Sequence, residues 1–452
     1  MRSARYFLPA AFAALAALAS LPGVSQAQLG SFNPEPGPRG TYVIQNARII
    51  PVVGAPIERG TVVVGPDGRI QAVGASVQAP AGANIIDGSG LSVYPGMFDA
   101  GTSMGLSEIP QGANSTVDIS ETGTFTPNVQ AYFGIDPHSA HVGVTRVVGV
   151  THVLSRPTGG VLSGQAALIN LAGSTITEMS VVPRAAMAIQ LPRSGGGGFG
   201  GFGGGGGAAF GAGNTAAQVT RTRQMDSLRT LLHDAEAYGR AFDAYAKDKS
   251  LPRPGHDVVL ESLLPVIRGE MPALFVADRA SEIREAVAFA EEMKLKPIIV
   301  GGRDAWQIAD WIKQKNVPVL FSSVLALPSR EDDDYDANYS APAKLAAAGV
   351  QFAITSGDRG AHVRDLPYNA GMAAAFGLSH EDALRSVTLW PAQIMGVADR
   401  FGSIESGKVA NLVVTDGDVL EARTNTKFLF IDGRPIPLDS KHTTLFERFK
   451  DR

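Results

Sequence analysis

The sequence predicts a (β/α)8 barrel joined to a small β-sandwich that both chain ends build together. Three observations carry this. The middle of the chain alternates short, wholly apolar runs with helix-length amphipathic stretches. Both ends carry short β-branched runs broken by Gly and Asp turns. The 452 residues exceed one ordinary domain but suit a barrel with a smaller companion. A hydrophobic content of 44% against 18% charged supplies a large core and excludes a wholly disordered chain. With a net charge of −4 and basic residues scattered along the chain, neither nucleic acid nor an anionic membrane surface is expected as the main partner.

Residues 1–27 read as an export signal. Arg2 and Arg5 precede an apolar run over residues 6–21, then Pro22-Gly23 and Ser25-Gln26-Ala27. A basic start, an apolar middle and small residues at −3 and −1 describe cleavage after Ala27. The run is short for a spanning helix, and no later segment holds ~18 consecutive apolar residues. The mature chain is therefore expected outside the membrane, in the periplasm. With no cysteine there are no disulfides, thiolate ligands or lipid-modified cysteine at the cut.

The expected β-sandwich comprises residues 41–93 and 399–438. "TYVIQNARIIPV", "GTVVVGPDGRIQAVG" and "ANIIDGSG" supply strands, with Pro66-Asp67-Gly68 as a hairpin turn. "FGSIESGKVANLVVTDGDVL" and "TKFLFIDGRPIPL" repeat that texture near the C-terminus. Between them, residues 94–398 read as the barrel. "GVTRVVGVTHVLS" is strand-like, and residues 216–248 have helical spacing with no proline. Then "PALFVAD", "KPIIVGG", "VPVLFSS" and "VQFAITSGD" read as strands. Each is followed by a helical stretch, the last of them capped by Ser379. Apolar strands alternating with helices predict a parallel sheet covered on its faces.

Two segments interrupt this pattern. The glycine-rich stretch at residues 194–213 lacks the Lys-Ser/Thr of a phosphate loop and is expected to be a flexible surface insertion. In "REDDDYDANY", Asp332, Asp334, Asp336 and Asn338 alternate like the start of a calcium loop. Ala337 stands where such a loop turns on Gly, and Ala343 where it ends on Glu, so a solvated loop is expected.

"YPGMFDAGTS", "GVTRVVGVTHVL", "GLSHEDALRSVTLWPAQIMGV" and above all "GSIESGKVANLVVTDGD" resemble the amidohydrolase superfamily, specifically its imidazolonepropionase-like branch, over roughly residues 41–438. The resemblance implies a β-sandwich, a metal-binding barrel, one or two divalent metals such as zinc, and hydrolysis of carbon–nitrogen, non-peptide bonds. It also implies Asp-x-His-x-His at the end of the first barrel strand, where i and i+2 reach one cation. Here Asp99 is kept, but Gly101 and Ser103 stand at the histidine positions. Two further family histidines align with Ala277 and Gly301, and the family's catalytic Asp with Ser356.

Asp358, two residues on, remains a candidate base if Gly357 keeps the chain extended. No bound metal or other cofactor is expected, and metal-dependent catalysis is expected to be lost or reduced. Glu108, Arg279, Arg359, His362 and Arg364 follow predicted strands on the loop side where such barrels bind substrates. The expected ligand is small and polar or anionic, with arginine forks suited to carboxylate or phosphate. The alternative is a non-catalytic binding or scaffold subunit, a homo-oligomer or the partner of a metal-complete related amidohydrolase. His138 and His141, in "HSAH", read as surface or packing residues, and His152, after a strand-like run, as a hydrogen-bonded barrel residue.

Overall fold

The computed structural model describes residues 33–109, 117–192, 212–322, 324–328 and 330–452. The proposed export signal and residues 194–211 of the glycine-rich stretch lie outside them. The N-terminal end supplies β1 (Tyr42–Ile49), β2 (Ile57–Val64), β3 (Ile70–Gly74), β4 (Asn84–Asp87) and β5 (Ser92–Pro95). The chain passes from β5 directly into the barrel strands β6 (Met97–Thr102), β7 (Val150–Ser155), β8 (Leu162–Asn170) and β9 (Ser180–Ile189). The barrel continues with β10 (Ala273–Ala277), β11 (Pro297–Gly301), β12 (Val319–Phe321) and β13 (Phe352–Ile354). It then returns to the first sheet through β14 (Leu412–Thr415), β15 (Thr426–Ile431) and β16 (Arg434–Pro435).

The accessory sheet has the order β16-β15-β14-β5-β1-β2-β3, with β4 also on β1. β1 serves two neighbours on one edge: residues 42–45 pair with β4 and residues 48–49 with β5. Asn46, in the left-handed region at φ 62°, lies between the two stretches and takes a conformation that asparagine tolerates. The far edge curls back, because Ile70 donates its N–H to the Lys408 carbonyl and Ala410 to that of Gly68, both at 2.9 Å. Ile44, Ile49, Val62, Val64, Leu412 and Phe430 form its core, so strands from both chain ends bury one apolar face together.

In the second sheet eight strands run β13-β12-β11-β10-β9-β8-β7-β6, and the barrel is nearly closed. Its interior packs Phe98, Leu154, Leu168, Leu274, Ile298, Val300, Leu320 and Ala353, with Val397 and Phe401 in the same cluster. Helices at Ala280–Glu292, Ala309–Lys315, Ala337–Ala347 and Leu366–Ala375 follow the strands expected to precede them. Ser379 caps the helix at His380–Ser386 by accepting from the Asp382 N–H.

One strand departs from the all-parallel expectation. β8 pairs antiparallel with both β7 and β9, while the other neighbouring pairs along the barrel sheet are parallel. The reason is the length of the link after β7. Residues 156–161, with Gly159 and Gly160 at positive φ, form a turn far too short for the dozen or so residues that a parallel crossover needs.

The acidic loop also gains a definition. Asn338 belongs to the helix at Ala337–Ala347, and its amide donates to the carbonyls of Ala326 and Leu327 at 2.9 and 3.1 Å. Arg330 reaches Asp304 at 2.6 Å and Asp333 at 3.4 Å. Asn338 and Arg330 are thus tied into the body rather than arranged around a cation.

Candidate functional site

The C-terminal ends of β6, β7 and β13 bring the expected site residues together. Asp99 is fully buried, and burial raises its carboxyl to about 6 against the hydrogen bonds it accepts. Those come from the N–H of Gly101 at 3.1 Å, the N–H of Ser356 at 3.0 Å, and the Ser356 hydroxyl. Asp99 thus ties β6 to β13 across the seam of the barrel. Both carboxylate oxygens accept backbone N–H groups, so Asp99→Asn must aim an amide NH2 at one of those donors. The substitution is expected to destabilise the fold by about 1–3 kcal/mol, read as a lowered urea midpoint.

The positions aligned with metal ligands are filled by other chemistry. A Cβ on Gly101 would lie 3.3 Å from Thr355 Oγ1. The Ser103 hydroxyl donates to the Asp358 carbonyl. Ala277 is buried and apolar. Gly301 has φ +101°, and a Cβ there would come within 2.5 Å of Asp278 Oδ1, so a histidine cannot be fitted without displacing that carboxylate. The residues as folded do not fit a divalent metal. Among the described residues, no three His, Asp or Glu side chains converge in a metal-holding arrangement.

Asp358 does not continue the β13 strand. Gly357 turns the chain at φ +88°, and the Asp358 carboxylate forms an ion pair with Arg156, whose side chain is only 4% exposed. Arg156 follows β7 and carries no sequence signal that marks it out. It is the cation the structure places in this mouth, and its Nε, Thr102 Oγ1 and Thr355 Oγ1 are buried without a protein partner among the described residues. Buried polar atoms left in this way belong to places where water or a ligand completes the hydrogen bonds.

Beside this mouth lies an open cavity of about 700 Å³. It gathers Glu108, His138, His141 and Arg364 with Asp136, Lys441 and His442. Glu108 accepts from the Ser139 hydroxyl at 2.5 Å and the Ala140 N–H at 3.1 Å, holding the start of the helix at Ala140–Arg146. Burial lowers the His141 pKa, with the Arg364 and Lys441 charges adding to the effect and Glu108 opposing it. Its buried Nδ1 lies 4.0 Å from Glu108 Oε2 and has no hydrogen-bond partner among the described residues.

Arg359 and His362 sit exposed on the same turn as Arg364, at the 3-10 helix Gly360–Asp365. Arg279 is placed elsewhere, exposed at the end of β10 on the opposite arc of the barrel. The sequence had singled out Glu108 and Arg364 but not Lys441 or His442, which lie beyond the last strand in a C-terminal helix at Lys441–Phe449. No spacing in the sequence brings that helix to this wall. His152 stands apart from the cavity, fully buried towards the accessory sheet.

A nearly closed barrel with a separate sheet from both chain ends is the architecture of an amidohydrolase-type barrel and its sandwich domain. The likeness of the chain is to the amidohydrolase superfamily. The amidohydrolase family model matches residues 272–436. The amidohydrolase TasK of Hapsidospora irregularis is 24% identical over 399 residues, which cover 81% of this chain and 39% of that protein. The chain thus spans well under half of that relative's length. A crystal structure of an amidohydrolase from Thermotoga maritima aligns at 26% identity and TM-score 0.76, covering 88% of this chain and 99% of that one. A prolidase complexed with N-methylphosphonate-L-proline aligns at 17% identity and TM-score 0.53, over 88% and 99% of the two chains, and supports the fold alone.

Proposed function

We propose that this chain is an exported member of the imidazolonepropionase-like branch that has lost, or severely reduced, metal-dependent hydrolysis of carbon–nitrogen, non-peptide bonds while still binding a small polar or anionic ligand. The observation that carries this is Gly301, which has no side chain to offer a metal and sits at φ +101°, where any L side chain is strained. The engaged Ser103 hydroxyl and the apolar Ala277 support it. A carboxylate without a metal-bound water to deprotonate is a feeble base at neutral pH, and Asp358 is already paired with Arg156. The ligand is placed in the cavity of Glu108, His141, Arg364 and Lys441, where carboxylate, imidazole and two cations converge.

Purified protein is expected to hold well under one equivalent of zinc, manganese or iron and to hydrolyse N-acyl amino acids no faster than a buffer control. A stoichiometric metal that survives dialysis, measured by elemental analysis, overturns the loss of the site. In a thermal-shift screen of dipeptides, N-acyl amino acids and simple carboxylates, at least one is expected to raise the melting temperature. That shift should disappear in Arg364→Ala. Absence of any shift, with the variant as stable as the parent, leaves the scaffold alternative. That second reading is favoured by Phe446 and Phe449, exposed on a C-terminal helix with no buried residue, and sedimentation with a metal-complete relative tests it. No helix of the described residues is long and apolar enough to cross a membrane. Export is proposed on residues 1–27, and N-terminal sequencing of the secreted fraction is expected to begin at Gln28.

A further inference from the structure

A second cavity, of about 740 Å³, lies between the accessory sheet and the barrel. Its size is that of a small-molecule site. It sits at the end of the barrel opposite the mouth, because Tyr94 on its wall belongs to β5, which leads straight into the start of β6. The apolar wall is made by Val52, the Tyr94 ring and Leu384 with the prolines of the β1–β2 loop. The polar wall is made by Arg48, His380 and Asp418.

The acidic groups on this wall are already engaged. Asp418 accepts from His380 at 2.5 Å and from the Leu420 N–H at 3.0 Å, and Glu381 accepts from Arg385 at 2.5 Å. Arg48 is held differently. Its Nε meets Glu58 at 3.2 Å in a pair whose side chains are 49% and 77% exposed. Such a surface pair is worth little, so the guanidinium can turn to an incoming anion. Its charge already reaches the wall, because it acts to lower the pKa of both His380 and Asp418.

The loop that forms the rim is strained. Val52 is a buried β-branched residue at φ +70°. That conformation is a genuine outlier for valine, of the kind that gathers at ligand sites. Its neighbours hold it there: Ile50 donates to the Val93 carbonyl at 2.9 Å, and Pro51 accepts from Ile404 at 3.1 Å. A smooth crevice between two domains has no need of such a loop.

We propose that this interdomain cleft is a second binding site, for a small carboxylate with an aromatic or branched apolar body, its anion on Arg48 and its body against Tyr94, Val52 and Leu384. The site is independent of the ligand proposed at the barrel mouth. Calorimetry on the full chain with 3-phenylpropionate and with its uncharged amide tests it. The carboxylate is expected to bind roughly tenfold more tightly than the amide, as a charge-assisted fork predicts. Arg48→Gln should erase that difference, Leu384→Trp should abolish binding of both, and Arg364→Ala should change neither. If Leu384→Trp fails to fold, Ala55→Trp fills the same cleft from an exposed loop. The proposal is overturned by no binding at millimolar carboxylate, by equal affinity for acid and amide, by binding that survives the filled cleft, or by binding lost in Arg364→Ala.

Discussion

Acidification from pH 7 towards pH 3 is expected to remove on the order of 5 kcal/mol of stability through His152 alone. The ring is completely buried, and desolvation, with the Arg400 charge added, lowers its pKa from 6.5 to about 3. Its hydrogen bonds fix the tautomer. Asn411 accepts the Asp432 N–H through its Oδ1 at 2.7 Å, so its NH2 faces His152 Nε2 at 3.1 Å. Nε2 is then the acceptor, and Nδ1–H points to the Thr151 hydroxyl at 3.0 Å. A proton added to Nε2 would meet another donor in a space closed by Phe98 and Phe401.

Between pH 6.5 and 3 the unfolded chain therefore binds a proton that the fold excludes, and stability falls as the pH falls through that window. Asp99 works in the opposite sense. Its folded pKa of about 6 lies above the ordinary 3.8, so acid between those values favours the fold by about 3 kcal/mol. The parent shows the sum of the two, and a variant isolates one of them. His152→Gln keeps an acceptor for Asn411 and a donor for Thr151 but does not titrate. Urea unfolding at pH 4, 5 and 6 should show its stability rising relative to the parent by about 1.4 kcal/mol for each unit of acidification. Equal pH slopes in the two proteins would mean that the imidazole takes up its proton in the folded state.

The architecture was legible because it rests on periodicity. The runs around Phe275, Ile299, Leu320 and Ala353 are short and apolar on both faces, as strands covered by helices must be, and the β-branched ends announce the accessory sheet. β8 was not legible. Gly164 and Pro183 interrupt the patterns of β8 and β9, and only the brevity of the link after β7 betrays the reversed strand. At the site, motif spacing marked Gly101 and Ser103 as the positions aligned with the family's histidines, because a strand places i and i+2 alike. The same spacing could not say what replaced them. Ser103 reaches a backbone carbonyl 255 residues away, and Arg156 a carboxylate 202 away. Those partners are chosen by the closing of the barrel. Gly357 decided the fate of Asp358 by a backbone angle, and residue identity alone does not reveal that angle.

Removing the guanidinium of Arg146 is expected to be the most damaging single substitution near the N-terminal segment. Arg146 is 1% exposed, and burial lowers its pKa to about 10. It donates to the carbonyls of Pro34 at 2.8 Å and Leu171 at 3.5 Å. The Pro34 contact belongs to an extended strap, residues 33–40, that crosses from the barrel to the accessory sheet. At the barrel end, the Asn33 amide donates to the carbonyls of Pro137 and Ser139 at 2.9 and 3.1 Å. At the sheet end, Arg434 donates to Pro36 and Gly37, both at 2.8 Å, and Gly37 to Pro435 at 2.7 Å. Prolines 34, 36 and 38 limit the freedom the strap loses on docking. Arg146→Ala opens a cavity and orphans two carbonyls, for an expected loss of about 3–5 kcal/mol. Arg146→Met fills the space and should lose only about 1–3 kcal/mol, the penalty of the unpaired carbonyls. Deleting residues 33–39 removes the Pro34 carbonyl, so its effect and that of Arg146→Met should sum to more than the double variant loses. Strictly additive urea midpoints in that cycle would show that the strap and the buried arginine stabilise the fold separately.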